Sequence, residues 1–259
     1  MNLPTPVPPA LSSHSADMAD NRPVLILQHQ TPERPAYLAT WLEQHHIAYR
    51  TCCAAVEPFP TSMEPYSALA VMGGGMSAND PLVSNRQAEI LILQAMHWNR
   101  PVIGHCLGGQ LMSRALGGTI GPSPQPEIGW HSIDYEDHPL VREWFGANPT
   151  PTVIQWHYEA FTVPNGATRL AGSAHCANQA WALGSNLAMQ FHIEMDDGKA
   201  REWAGDEDPL WNTARSIWDS VQDSEGILAG IEPHLSQHQA TADHIYRRWL
   251  STTEWADHC

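Results

Sequence analysis

Continuous apolar runs that alternate with segments of helical periodicity constrain the fold of this 259-residue chain more than any other feature. The runs are Val24–Leu27, Ala68–Met72 and Pro101–Ile103. Such runs are typical of parallel strands that are covered on both faces. Between them, segments such as 36–45 and 86–98 repeat apolar residues at helical spacing. This order predicts an α/β fold: an open, mostly parallel sheet with helices on both faces.

The middle of the chain, between residues 119 and 184, has a different character. Short apolar segments there are separated by proline, glycine and asparagine, which indicates turns. We expect these segments to form an antiparallel extension of the sheet. The candidate strands are Ile128–Ile133, Val153–Gln155, Arg169–Gly172 and Ala180–Leu183. A further strand is predicted over Leu187–Glu194, and the composition after Met195 is helical.

The pattern predicts one domain, because no internal repeat or interdomain linker divides it. Residues 1–22 are rich in proline and serine and are predicted to be a disordered tail. Residues 23–195 carry the α/β pattern, and residues 196–259 are predicted to be C-terminal helices packed on the same domain. The tail has no basic region followed by an apolar core, so we do not expect a secretory signal.

Charge and cysteine usage exclude several classes of function. Lys199 is the only lysine, and 13 basic residues against 28 acidic ones give a formal net charge of −15. We therefore expect no nucleic-acid or anionic-membrane partner. The five cysteines form no CxxC pair and the histidines form no HExxH motif, so we expect neither a metal site nor a disulfide framework. A cytoplasmic protein without a cofactor is the simplest expectation.

The stretch Pro101–Gly118 (PVIGHCLGGQLMSRALGG) places a cysteine where a buried strand turns into a helix. Cys106 lies between Gly104 and Gly108, and a sharp strand-to-helix turn needs such small neighbours. The positive end of the following helix favours the thiolate form of the sulfur. Its leading N–H groups can stabilise an oxyanion. The sequence thus indicates a nucleophile elbow, although a buried cysteine is more often a small hydrophobe.

Two further features fall at the ends of predicted strands. His192 and Glu194 are two apart, so in a strand both side chains lie on one face and the carboxylate can orient the imidazole. Gly73–Gly75 follows a buried strand and indicates a loop whose N–H groups face an anionic centre. Either feature alone is more often a surface pair or a plain turn. Their coincidence with Cys106 favours an active site at the carboxyl edge of the sheet.

The residues around these features resemble a known family. Gly104–Gln110 (GHCLGGQ) is similar to the G-x-C-x-G-x-Q motif of class I glutamine amidotransferases. Gln190–Glu194 (QFHIE) is similar to the family's Q-F-H-P-E, with isoleucine in place of the usual proline. The resemblance extends from about Val24 to Glu194. It is strongest to the stand-alone branch similar to the amidotransferase domain of GMP synthase.

The resemblance implies a flavodoxin-like class I amidotransferase fold, with residues 23–195 as the amidotransferase type-1 domain. It also implies a Cys106–His192–Glu194 triad and a covalent γ-glutamyl thioester. The oxyanion donors that it implies are the backbone N–H groups of Gly74, Gly75 and Leu107. The substrate-binding residues that it implies are Gln110, His157, Tyr158 and Glu159.

Three functions are compatible with these residues. The first is an amidotransferase that hydrolyses glutamine and passes ammonia to a partner synthetase, and the second is a γ-glutamyl peptidase acting on a γ-glutamyl conjugate. No SGGxDS-type phosphate loop is present, so we expect no synthetase domain in this chain. The third is a non-catalytic binding or stress protein on the same fold, which the paired H-x-E motif disfavours. The candidate partners are glutamine or another γ-glutamyl small molecule, an ammonia-accepting synthetase, and a second copy of the chain.

Overall fold

A computed structural model describes residues 22–147, 151–206 and 208–259. The predicted N-terminal tail, apart from Arg22, lies outside the described residues. The strands are β1 (Val24–Gln28), β2 (Tyr49–Cys53), β3 (Ala68–Val71), β4 (Val102–His105), β5 (Ile120–Ser132), β6 (Asp134–Tyr135), β7 (Thr152–Phe161), β8 (Thr168–Gly172), β9 (Ala180–Leu183) and β10 (Asn186–Met189). The helices are α1 (Tyr37–Gln44), α2 (Val83–His97), α3 (Leu107–Ala115), α4 (Pro139–Phe145), α5 (Asp197–Ala204), α6 (Pro209–Arg215) and α7 (Ser224–Leu250), followed by a 3₁₀ helix at Glu254–His258.

An eight-stranded sheet has the order β2-β1-β3-β4-β10-β9-β8-β6. The first five strands are parallel to one another, and β9, β8 and β6 continue the sheet in antiparallel pairing. The predicted mostly parallel α/β sheet with an antiparallel extension is therefore confirmed. Because β3, β4 and β10 are parallel neighbours, their carboxyl ends bring the Gly73–Gly75 loop, Cys106 and the segment after Met189 to one edge.

Two of the predicted extension strands lie outside this sheet. Ile128–Ile133 and Val153–Gln155 fall largely within β5 and β7, which pair with each other as a separate two-stranded ribbon. The prediction that they extend the main sheet was wrong. A register shift between Pro122 and Glu127 bends the ribbon, and its residues Ile128 and Ile154 pack in a cluster with Trp203 and Trp211 from the C-terminal helices.

The strand predicted over Leu187–Glu194 ends early, because β10 stops at Met189. The remaining residues form only an isolated bridge between His192 and Ile154 of β7. Phe191 and Ile193 are fully buried, which prolongs the apolar pattern beyond the end of the strand. His192 and Glu194 therefore lie in a connecting segment rather than on one strand face.

Helices cover both faces of the main sheet. On one face, Trp41 of α1 packs in a cluster with Tyr246 and Trp249 of α7. On the other, residues of α2 and α3 such as Leu91 and Leu111 form a second cluster. In the part of the chain that the structure describes, no helix combines the length and apolar character that crossing a membrane requires.

Candidate active site

Cys106 occupies a strained turn between β4 and α3. Its φ of 48° and ψ of −108° lie outside the regions that most residues adopt, and such strain is typical of functional positions. The turn is held by Cys106 N–H, which donates to the Met189 carbonyl over 2.9 Å. Gly108 permits the close approach, because a Cβ there would lie 2.0 Å from the Val71 carbonyl oxygen. The predicted elbow is therefore present, with the cysteine 6% exposed.

His192 and Glu194 form a buried pair beside this cysteine. His192 Nδ1 lies 2.8 Å from Glu194 Oε1, and both side chains are at most 3% exposed. The imidazole is held from the other side by the edge of Trp203, with ring centroids 4.7 Å apart. His192 N–H donates to the Ile154 carbonyl, so ribbon strand β7 fixes the backbone. The relation predicted between imidazole and carboxylate exists without the strand that was invoked for it.

The electrostatics of the pair favour an ionised histidine. Burial lowers the pKa of His192, but the Glu194 carboxylate and the Cys106 side chain outweigh burial and raise it to about 10. Burial acts to raise the pKa of Glu194, while Lys199 and His192 hold it well below its usual range. An imidazolium next to Cys106 stabilises a thiolate by charge and hydrogen bonding. The site therefore combines a nucleophile with a proton donor.

The two loops predicted to supply oxyanion donors meet at Cys106. Leu107 is the first residue of α3, and the leading N–H groups of a helix have no acceptor within it. The Gly74 loop packs on Leu107, since a Cβ on Gly74 would lie 2.8 Å from Leu107 Cδ2. Gly75 N–H, in contrast, donates to Gln30 Oε1 over 2.8 Å. Of the three predicted donors, Gly75 therefore already has an acceptor inside the protein.

Two cavities meet at Cys106. One, of about 260 Å³, is called here the Glu33 cavity; its lining includes Glu33, His192, Trp203, Asp206 and Asp208. The other, of about 290 Å³, is called the Gln110 cavity; its lining includes Met76, Gln110, His157, Tyr158 and Glu159. Gly74, Gly75, Cys106, Trp156 and Asp208 line both. The sulfur is thus accessible from two sides.

The predicted substrate-binding residues all line the Gln110 cavity, but they differ in how they are held. Gln110 is almost fully buried, and its Nε2 donates to the Glu159 carbonyl over 3.1 Å. The ring of His157 is buried, with Nε2 3.1 Å from Glu127 Oε2. Tyr158 is half-buried, with no hydrogen-bond partner for its hydroxyl among the described residues. Glu159 is also only partly buried, which leaves these two side chains more accessible to a ligand than His157.

Glu127, His157 and Cys176 bring one potential metal-ligand atom each to within 4.8 Å of one another. The Glu127 carboxylate already accepts hydrogen bonds from Ser173 Oγ and Gln179 Nε2, both over 2.7 Å. Burial raises the pKa of Cys176 to about 11, which keeps the thiol neutral. The contacts of this cluster are those of a hydrogen-bonded network behind the Gln110 cavity.

Sequence reasoning did not assign a role to two charged residues behind the triad. Lys199 of α5 is fully buried, and its Nζ lies 3.1 Å from Glu194 Oε1 and 3.2 Å from Glu33 Oε2. A usable signal existed for the lysine, since it falls at helical spacing with the apolar residues Ala200 and Trp203. Glu33 gave no signal, because only tertiary packing brings it to residues about 160 positions later.

The five cysteines are expected to differ sharply in reactivity. Burial raises the pKa of Cys52, Cys176 and Cys259 to about 11, whereas Cys106 contacts an imidazolium and lines both cavities. A glutamine-analogue electrophile at neutral pH should therefore label Cys106 first, because thiolates are the reactive form. Peptide mapping by mass spectrometry after brief labelling tests this. First labelling at another cysteine, Cys53 included, would contradict the site.

Fold and site together define an α/β protein with a cysteine, a histidine and a glutamate at the carboxyl edge of a mostly parallel sheet. The sequence profile of the family "Glutamine amidotransferase class-I" matches residues 40–203. The chain therefore belongs to the class I glutamine amidotransferase family, as the motifs indicated. The match ends within α5 and includes both the triad residues and Lys199.

Known proteins agree with this assignment. The chain is 31% identical over 186 residues to the glutamine amidotransferase-like protein YfeJ of Salmonella typhimurium, which covers 66% of this chain and 76% of that protein. A crystal structure of a glutamine amidotransferase from Methylobacillus flagellatus superposes with a TM-score of 0.82 at 35% identity, covering 89% of this chain and 94% of that one.

Two other relatives bear on the branch of the family. One of the subunits of the glutamine-hydrolysing GMP synthase of Ignicoccus hospitalis is 30% identical over 149 residues, covering 55% of this chain and 76% of that protein. γ-Glutamyl peptidase 3 of Arabidopsis thaliana is 31% identical over 105 residues, covering 38% of this chain and 42% of that protein. The predicted similarity to the GMP synthase branch is thus confirmed, and a γ-glutamyl peptidase is among the relatives.

Proposed function

We propose that the protein is a glutamine amidotransferase-like hydrolase that cleaves a γ-glutamyl amide through a Cys106–His192–Glu194 triad. The observation that carries this proposal is the buried pair of His192 Nδ1 and Glu194 Oε1, 2.8 Å apart, beside a cysteine on a strained elbow. A thiolate, an imidazolium and a fixed carboxylate are the groups that acyl transfer requires.

The reaction begins when Cys106 Sγ attacks the γ-carbonyl carbon and forms a tetrahedral oxyanion. The N–H groups of Leu107 and Gly74 are the proposed donors to that oxyanion. When the intermediate collapses, the C–N bond breaks and the imidazolium of His192 gives its proton to the leaving nitrogen. Ammonia or an amine departs and a γ-glutamyl thioester remains. Neutral His192 then takes a proton from water, which attacks the thioester, releases glutamate and restores the thiolate and the imidazolium.

The two cavities suggest how a donor is oriented. The leaving nitrogen must lie near His192, which lines the Glu33 cavity, so the leaving group occupies that side. The γ-glutamyl part then occupies the Gln110 cavity, where Gln110 and Glu159 are the proposed contacts for its amino-acid end. Ammonia needs almost none of the roughly 260 Å³ on the leaving-group side. This space favours a second candidate function, hydrolysis of γ-glutamyl conjugates, which is also the reaction named for the peptidase relative.

A donor screen on the isolated chain separates these functions. We expect measurable hydrolysis at a modest rate, with a preference for conjugates whose leaving amine is positively charged. Glu33, Asp206 and Asp208 line the leaving-group side, and no lysine or arginine is among the described residues that do so. A cationic leaving amine should therefore gain about tenfold in kcat/KM, roughly 1.4 kcal/mol, over the carboxylate-bearing leaving group of glutathione.

The screen measures release of glutamate, ammonia and amine from glutamine, glutathione and γ-glutamyl conjugates of diamines. Asp208→Asn serves as the charge control and should reduce the preference for cationic leaving groups while retaining turnover of glutamine. Equal rates for cationic and anionic leaving groups would contradict the proposed orientation. Silence on all donors, with Cys106 still open to alkylation, would favour a protein that is active only with an ammonia-accepting synthetase.

A further inference from the structure

Lys199, the only lysine of the chain, is fully buried behind the triad. Its ammonium group has three acceptors: Glu194 Oε1 at 3.1 Å, Glu33 Oε2 at 3.2 Å and the Arg34 carbonyl at 3.3 Å. An ammonium group has three protons to donate, so its hydrogen-bonding capacity is filled. Helix α5 supplies the lysine, and its first turn is anchored by Asp196, which caps the helix and also binds Arg34.

The key feature of this arrangement is a shared atom. Oε1 of Glu194 contacts both Lys199 Nζ and His192 Nδ1, at 3.1 and 2.8 Å. Oε2 of the same carboxylate has no hydrogen-bond partner among the described residues, and His105 Nε2 lies 3.9 Å from it. The lysine and the histidine therefore compete for one oxygen, and two positive charges lie within about 6 Å of each other.

We infer, on the basis of the proposed function, that Lys199 is a positioning residue of the active site, which fixes Glu194 as an oriented anion and opposes excessive stabilisation of the His192 imidazolium. The second half of the reaction gives this opposition a role. A general base must be neutral when it takes the proton from water, and an imidazolium held too firmly cannot become neutral. Lys199 thereby speeds hydrolysis of the thioester.

The other groups around Glu194 do not supply this charge. Burial lowers the pKa of His105 and of His238 to about 4, so both rings are neutral near pH 7. Burial raises the pKa of Tyr246 well above its usual range, so its hydroxyl is also neutral. Burial lowers the pKa of Lys199 itself, but Glu194 and Glu33 outweigh burial and raise it. Lys199 is thus the permanent positive charge that faces the carboxylate from α5.

The first test is substrate-free alkylation of Cys106 by iodoacetate across pH, because this anion reacts fastest while the imidazolium is present. Near pH 10 about half of the wild-type imidazolium should be lost, since the pKa of His192 is about 10. Lys199→Met should move this alkaline limb upward by about one pH unit, because a nearby like charge is removed. Arg201→Met on the same helix, where the arginine is exposed and paired with Asp197, is the control and should leave the limb unchanged.

A second variant keeps the inference testable if Lys199→Met does not fold. In Glu33→Gln the lysine loses one of its two anions, so more of its charge acts on Glu194. The alkaline limb should then move downward, opposite to the shift in Lys199→Met. A limb that stays at the wild-type position in Glu33→Gln, or in a folded Lys199→Met, would show that the lysine is only a structural ion-pair partner and would overturn the inference.

The third readout uses a donor that the wild type cleaves. At pH 8 a rise of one unit in the pKa of His192 lowers its neutral fraction about tenfold. Lys199→Met should therefore hydrolyse the thioester about tenfold more slowly and accumulate acyl-enzyme, which mass spectrometry detects, while acylation changes less. Equal slowing of both steps would contradict the inference. A silent donor screen would count against the proposed function alone, because the alkylation profile needs no substrate.

Discussion

Replacement of Cys106 by alanine is expected to abolish hydrolysis of every γ-glutamyl donor, with kcat reduced by at least about 10⁴-fold. The thiolate is the atom that forms the thioester, and no other cysteine can take its place. Cys52 is buried in the apolar cluster below the sheet, and Cys176 lies in the network around Glu127. The measurement is glutamate release by purified protein, compared with wild type at saturating donor.

The substitution should leave the fold intact, which makes the result interpretable. Alanine keeps the Cβ and meets the same backbone strain at φ 48°, so the elbow itself is unchanged. The sulfur forms only two contacts at 3.6 Å, with Gln190 Nε2 and with the Trp156 carbonyl. The variant should still bind donors, which thermal shift can detect by mass action. Cys52→Ala is the matched control and should retain wild-type kcat.

Residual activity of a few per cent in Cys106→Ala, free of wild-type contamination, would contradict the assignment of the nucleophile. Loss of activity in Cys52→Ala without loss of folding would also count against it. In that case the elbow would be a packing feature, and the non-catalytic alternative would regain weight.

The sequence was sufficient for the main sheet and for the position of the site. Val24–Leu27 and Ala68–Val71 are buried on both faces, so their continuous apolar character directly reports their environment. Parallel neighbours then place strand ends at one edge, which is why Cys106 and His192 could be expected to meet. The β5–β7 ribbon was not recognised, because about 20 residues separate its strands and no local turn signal pairs them.

The segment after β10 shows where periodicity fails. Phe191, His192, Ile193 and Glu194 are all buried, so no alternation of apolar and polar residues marks the end of the strand at Met189. The short-range motif still gave the correct pair of residues, because their contact depends on two neighbouring positions. Lys199 and Glu33 depend on packing between distant segments, which a single sequence does not encode in any local pattern.

Glu194→Gln is expected to lower kcat by about 10² to 10³-fold while Cys106 remains open to alkylation. In a serine triad the corresponding loss costs about 10⁴-fold, but a thiolate at the start of a helix depends less on its base. Glutamine keeps the shape of the side chain and removes the charge that raises the pKa of His192, so the alkaline limb of alkylation should move toward neutral pH. The exposed Glu232→Gln on α7 is the control. Unchanged turnover and an unchanged pH profile in Glu194→Gln would mean that the 2.8 Å contact does not orient the base, and the triad would reduce to a cysteine–histidine pair.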